Sequence, residues 1–153
     1  MSALQDVSRL NDHLGYWLRY VSNAVSHGFA RRLEQHGVSV AGWVMMRMLL
    51  ERSPMMSSRI AEDMGVTRGA VTKLADRLLA KGLVTREPSA EDGRVQLLGM
   101  TEEGSRLVPV LARLADENDE FYFRQLTAEE REILRALLGR LVEGAGLGAL
   151  PID

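Results

Sequence analysis

The chain has 153 residues, enough for one compact domain, and its 46% hydrophobic and 26% charged residues exclude a disordered chain. Cysteine is absent, which excludes a disulfide scaffold, a cysteine-ligated zinc site and thiol chemistry. The net charge is −2, yet between Thr67 and Met100 six basic residues (Arg68, Lys73, Arg77, Lys81, Arg86, Arg94) outnumber four acidic ones (Asp76, Glu87, Glu91, Asp92), so positive charge concentrates in one segment.

The polar N-terminus, MSALQDVSRLNDH, lacks a basic-then-apolar leader, and charge interrupts every apolar run well short of the ~20 residues of a membrane helix. A cytoplasmic protein without membrane contact is expected. Leu10, Leu14, Trp17, Val21, Val25, Phe29 and Leu33 then recur every three or four residues, which predicts one long helix with an apolar stripe. Gly37 is its stop, and Ser39 caps a second helix that carries Trp43, Met46, Met48 and Leu49 and ends near Glu51. Ser53-Pro54 breaks the chain.

Ser57 is expected to cap a short helix with Ile60, Ala61 and Met64 inward, closed by a tight turn at Gly65. Thr67 caps the next helix, with Ala70, Val71, Leu74 and Leu78 inward and Gly82 as terminator. Two short helices joined by a turn of about four residues form a helix-turn-helix. Two strand-like runs follow, Leu83–Glu87 and Arg94–Met100, separated by the turn formers PSAEDG; they predict a two-stranded β wing. Thr101 caps a long helix in which Pro109 sits near the start or marks a kink. Thr127 and Glu130 make a capping box for a last helix carrying Ile133, Leu134, Leu137, Leu138, Leu141 and Val142. In the glycine-rich tail, Leu147, Leu150 and Ile152 are available to pack on a neighbour.

The motifs occur in a telling order. SSRIAEDMGVTRGAVTKLADRLLAKGLV contains Thr72-Lys73 and runs into Lys81-Gly82-Leu83-Val84; Asp92 and Arg94 form a D-x-R pair; Thr101-Glu102-Glu103-Gly104 follows. On these motifs the stretch from about Ser39 to Gly104 resembles the MarR family of winged helix-turn-helix regulators, and the flanking helices extend the likeness over most of the chain. Met100 stands where a leucine is usual, and Gly93 where the middle of D-x-R is more often charged. The resemblance implies a mainly α fold, with long N- and C-terminal dimerisation helices (1–36 and 105–153) around a DNA-binding lobe (37–104), all one integrated domain. It implies a transcription regulator, typically a repressor released by a small aromatic or anionic effector. The alternative use of such a domain is protein–protein contact, which would leave nucleic-acid affinity indifferent to Lys73 and Arg94.

The residue types support DNA as the partner. The major groove admits one α-helix. Arg68 suits a bidentate guanine contact, with Thr72 and Lys73 one turn later on the same side, while Gly69 permits close backbone approach and Thr67, at the start of the same helix, is a further DNA-binding candidate. Arg77 is a candidate phosphate contact, as are Ser57 and the amides that follow it. Arg94 suits a narrow minor groove, and Asp92 is expected to support it. A two-fold homodimer would read a pseudo-palindromic operator. His13, His27 and His36 share no helical turn, and no nucleophile motif, phosphate loop or HExxH is present, so neither metal, cofactor nor catalysis is expected. His13, Trp17 and Trp43 either line the effector pocket that the resemblance implies, between the first two helices and the DNA-binding lobe, or fill the core. The methionines, Met45, Met46, Met48, Met55 and Met56 among them, are expected in the core.

Overall fold

A computed structural model describes residues 7–147; Leu150 and Ile152 lie outside them. The chain is a winged helix-turn-helix of six helices and one small antiparallel sheet among the described residues. Helix α1 (Leu14–Glu34) follows a short 3-10 turn (Leu10–Asp12), so the N-terminal stripe is broken at His13, whose backbone is extended, and is not one continuous helix. Gly37, with φ +65°, turns the chain into α2 (Val40–Arg52), which Ser39 caps through Gly42 N–H at 3.0 Å.

Strand β1 (Met55–Met56) leads directly into α3 (Ser57–Met64). This corrects the expected cap. Met56 is held extended by pairing with Leu97, so Met56 takes the N-cap position without a side-chain acceptor, and Ser57 becomes the first helical residue. Gly65, at φ 68°, closes α3 with a turn that a side chain would strain. Three residues later α4 (Arg68–Ala80) starts on Thr67, whose hydroxyl accepts Ala70 N–H at 3.1 Å. Its buried residues are Val71, Leu74, Ala75 and Leu78, an i, i+3, i+4, i+7 set. Ala70, expected inward, is exposed because it lies about 100° short of Val71 around the helix.

Strands β2 (Val84–Pro88) and β3 (Gln96–Met100) form the wing, with five paired positions from Val84↔Met100 to Pro88↔Gln96. The sheet has three strands, in the order β1-β3-β2, where two were expected. Arg94 therefore lies beyond β3, in the tip. Helix α5 (Glu102–Phe123) begins where Thr101 accepts Gly104 N–H and donates its hydroxyl to Gly82 O at 2.7 Å. Pro109 is inside α5. Helix α6 (Ala128–Gly144) carries the reciprocal Thr127–Glu130 capping box. Arg131 ties α6 back to α5 through Glu120 at 2.8 Å and Phe123 O at 3.0 Å, and this guanidinium holds the Glu120 carboxyl below its ordinary range.

The core joins α2, α3, α4, the sheet and the near ends of α1 and α5: Leu33, Met46, Leu49, Ile60, Val71, Leu98 and Leu111 are fully buried. Met45, Met48, Met55 and Met64 belong to it, while Met56 faces outward at the sheet edge. The stripe on α1 is divided. Leu33 is buried, but Leu14 is 86% exposed and Trp17, Leu18 and Val21 are about half exposed among the described residues. Ile133, Leu137, Leu138, Leu141 and Val142 on α6 are likewise exposed. Asn118 of α5 is a buried polar side chain (2% exposed); it donates to Val25 O at 3.1 Å and accepts from Arg32 at 3.3 Å, pinning α5 against α1.

Candidate nucleic-acid interface

The packing of α4 decides which of its side chains face outward. With Val71, Leu74, Ala75 and Leu78 turned into the core, the 100° step per residue puts Gly69, Thr72, Lys73 and Asp76 on the opposite face, flanked by Arg68 and Arg77. All six are exposed. The ion pairs of this lobe use other basic residues: Arg52 and Arg59 meet Asp63, Arg86 meets Asp76, and Arg94 approaches Asp92. Arg68, Lys73 and Arg77 are thus left unpaired among the described residues. Thr72 donates its hydroxyl proton to Arg68 O at 3.0 Å, so it presents outward a methyl group and acceptor lone pairs. Gly69 has only Thr67 Oγ1, 3.9 Å from where a Cβ would stand.

The wing leaves this face as a ribbon. Four residue steps separate Val84 from Pro88, so the hairpin reaches roughly 13 Å before its tip. Asp92 accepts the backbone N–H of Arg94 at 3.0 Å, and Val95 N–H returns to Asp92 O at 3.0 Å, which shapes the tip as a tight turn. Arg94 is 97% exposed; its Nε stands 4.0 Å from Asp92. Asp92 thus supports the tip through the backbone more than through the guanidinium. Ser57 is half-buried, and the first-turn amides of α3 have no side-chain cap.

Arg86 carried no role beyond its charge in the sequence reading. Its Nη2 lies 2.8 Å from Asp76 Oδ1 and 3.4 Å from Thr72 O, joining the wing to the outward face of α4. A basic residue in a strand ten positions after an acidic one in a helix carries no spacing signal, and only the turn at Gly82 brings the two together.

His13, Trp17 and Trp43 do not converge. His13 occupies the N-cap position of α1 beside Ser8 Oγ at 3.3 Å. Trp17 is half exposed, donates to Asn11 O at 2.8 Å and meets Tyr16 edge-on. Trp43 packs edge-on against Phe29 at the α1–α2 contact, with Arg47 over its ring. An open groove of about 1120 Å³ among the described residues is lined by none of the three. Its walls come from α1 (Arg19, Ser22, Ser26, His27), the start of α2, Asn118 of α5 and Arg77 of α4. The signal for it lay in α1, where Gly15, Ser22, Ser26 and Ala30 put small side chains along one face. Among the described residues no cluster of three or more His, Asp or Glu could hold a metal, and no helix is long and apolar enough to cross a membrane.

A family model, the MarR family, matches residues 38–95. The chain is 30% identical over 129 residues to the transcriptional regulatory protein assigned to the hcr operon of Thauera aromatica, covering 84% of this chain and 78% of that protein. It is 28% identical over 133 residues to the HTH-type transcriptional repressor IacR of Pseudomonas putida, covering 87% and 80%. Among solved structures, the Staphylococcus aureus MepR–DNA complex superposes with a TM-score of 0.75 at 25% identity, over 86% of this chain and 98% of that one. A mutant Escherichia coli MarR in complex with operator DNA shares the fold, with a TM-score of 0.76 at 22% identity over 89% and 99%. The motif order, the fold and these likenesses together establish that the chain belongs to the MarR family.

Proposed function

We propose that the protein is a sequence-specific DNA-binding transcription regulator that grips a pseudo-palindromic operator as a two-fold homodimer and acts as a repressor released by a small molecule. The observation that carries the DNA reading is the outward face of α4, where Arg68, Lys73 and Arg77 are exposed and, among the described residues, unpaired, beside a glycine with room around its Cα. MepR and MarR, which share the fold, were each solved with DNA, and IacR is named a repressor. In this reading α4 enters the major groove, Arg68 contacts a base edge, and Thr72 offers its methyl to thymine. Lys73 and Arg77 meet the groove edge, and the α3 amides beginning at Ser57 hold a phosphate. Arg94 reaches a neighbouring minor groove.

The dimer is supported by apolar side chains that the described residues leave exposed. Leu14, Trp17, Leu18 and Val21 on α1 and Ile133, Leu137, Leu141 and Val142 on α6 are exposed among the described residues, and apolar rows of this kind mark protein–protein surfaces when they are contiguous. The effector is supported by the groove between α1, α2, α4 and α5, whose arginines and hydroxyls suit an anionic or aromatic ligand. The test is anisotropy on labelled duplexes, comparing DNA upstream of the protein's own gene with random sequence across salt. Preference for one duplex, with log affinity falling linearly in log salt, is expected. Equal affinity for both would overturn the regulator reading. Sedimentation at low micromolar concentration should give a dimer; a folded monomer would overturn that part. Titration of the complex with aryl carboxylates should release DNA for at least one, and failure of all of them would remove the effector.

A further inference from the structure

We infer that Arg86 is a positioning residue that masks the Asp76 carboxylate on the DNA-facing side of α4, raising affinity without itself touching DNA. The inference rests on the DNA-binding reading above. Asp76 is out of place on that face. It projects with Thr72 and Lys73, one turn from each of them or nearer, where a bare carboxylate would repel phosphate. The core cannot hide it, because Val71, Leu74, Ala75 and Leu78 occupy the buried side.

The structure answers that charge from the flank. Arg86 leaves β2 near the wing root and lies against α4, with one nitrogen 2.8 Å from Asp76 Oδ1 and 3.4 Å from Thr72 O. Exposure orders the pair: the Asp76 side chain is 58% exposed and that of Arg86 28%. The carboxylate is the outer member and the guanidinium approaches from beneath. A guanidinium so placed, with one nitrogen committed to two acceptors of its own chain and its side chain only 28% exposed, sits behind the carboxylate and not in front of it. Its positive charge still cancels that of Asp76 at contact distance. The bond to Thr72 O also fixes the wing root at the middle of α4.

Masking and direct contact make opposite predictions for a double variant. Arg86→Met should keep the parent's melting temperature within a few degrees and weaken binding to the preferred duplex about tenfold, ~1.4 kcal/mol. Adding Asp76→Asn to it should bring affinity back to within about threefold of the parent, because nothing is left to mask. If Arg86 met phosphate itself, the double variant would bind as weakly as Arg86→Met, and the inference would fall. A second variant stands apart from the fold of the first. Asp76→Asn alone should bind at least as tightly as the parent; a tenfold loss would mean that the carboxylate contacts DNA or that the ion pair acts only as a strut, and would likewise overturn masking. Parent protein that prefers no duplex would instead sink the DNA reading, whereas a preferring parent with an unchanged Arg86→Met sinks only this inference.

Discussion

Replacing Gly69 by alanine should raise stability and lower DNA affinity at once. Gly69 is the second residue of α4, its φ is not in the left-handed region, and an added Cβ would meet only Thr67 Oγ1 at an ordinary 3.9 Å. Alanine therefore fits without strain. In a helix interior the exchange is worth up to about 1 kcal/mol, part of it from a less flexible unfolded chain; in the first turn about half of that is expected. For a domain of this size each kcal/mol moves Tm by roughly 2–4 °C, so a rise of about 1–2 °C should follow. The same methyl lies on the outward face between Thr72 and Lys73, where the helix would meet base edges. Holding the backbone off by part of an ångström weakens several hydrogen bonds together, and a loss of about tenfold, ~1.4 kcal/mol, is expected. The assay pairs thermal melts with anisotropy on the tightest duplex recovered from random-sequence selection, at fixed salt. Undiminished affinity would refute the seating of α4 in the groove, and a lowered Tm would refute the steric argument.

Gly104→Ala should do the opposite to stability. A Cβ there would penetrate the Leu83 carbonyl oxygen and stand 2.6 Å from Met100 Sδ, and backbone cannot rotate away, so a loss of about 1–3 kcal/mol in chemical denaturation is expected; a parent-like midpoint would show that α5 need not sit so close to the wing root. Gly93→Lys is sterically free at the wing tip, since nothing lies within 4 Å, and should tighten binding while steepening the salt dependence by about one counterion; an unchanged slope would mean that the tip stays off the DNA. Partial desolvation, with Asp116 beside it, raises the Asp119 carboxyl above its ordinary 3.8, outweighing Arg135 and Arg131. The folded chain then binds that proton more readily than the unfolded one, so stability falls as pH rises through the raised value. Asp119→Asn should accordingly match the parent near about pH 3 and melt higher near about pH 7; a variant that melts no higher than the parent there would refute it.

Local chemistry was legible in the chain itself. Thr67, Thr101 and the Thr127–Glu130 box cap the helices they were expected to cap, because a cap is made among residues three positions apart. The buried set on α3, and Val71, Leu74 and Leu78 on α4, follow from helical period alone. The outward face of α4, and with it the candidate interface, was therefore available before any tertiary contact was known. The wing was legible for the same reason, as two β-prone runs around a cluster of turn formers.

What escaped depends on segments far apart in the chain. Two residues are too few to show a strand period, and β1 exists only because Met55 and Met56 find Leu98 and Leu97. That pairing moved the start of α3 and turned Ser57 from a cap into a first-turn residue. Trp17 and Trp43 share a helical apolar pattern, yet one lies half exposed near the start of α1 and the other inside the α1–α2 contact. The groove took its walls from polar, small and apolar residues on four helices, and Arg86 met Asp76 across the turn at Gly82. The threonine caps, the glycine turns and most of the periodic faces are settled by neighbours within one or two helical turns, so the sequence by itself determined them. Which surfaces meet, which charge is answered and which space is left open depend on how the helices pack, and only the tertiary structure decided those.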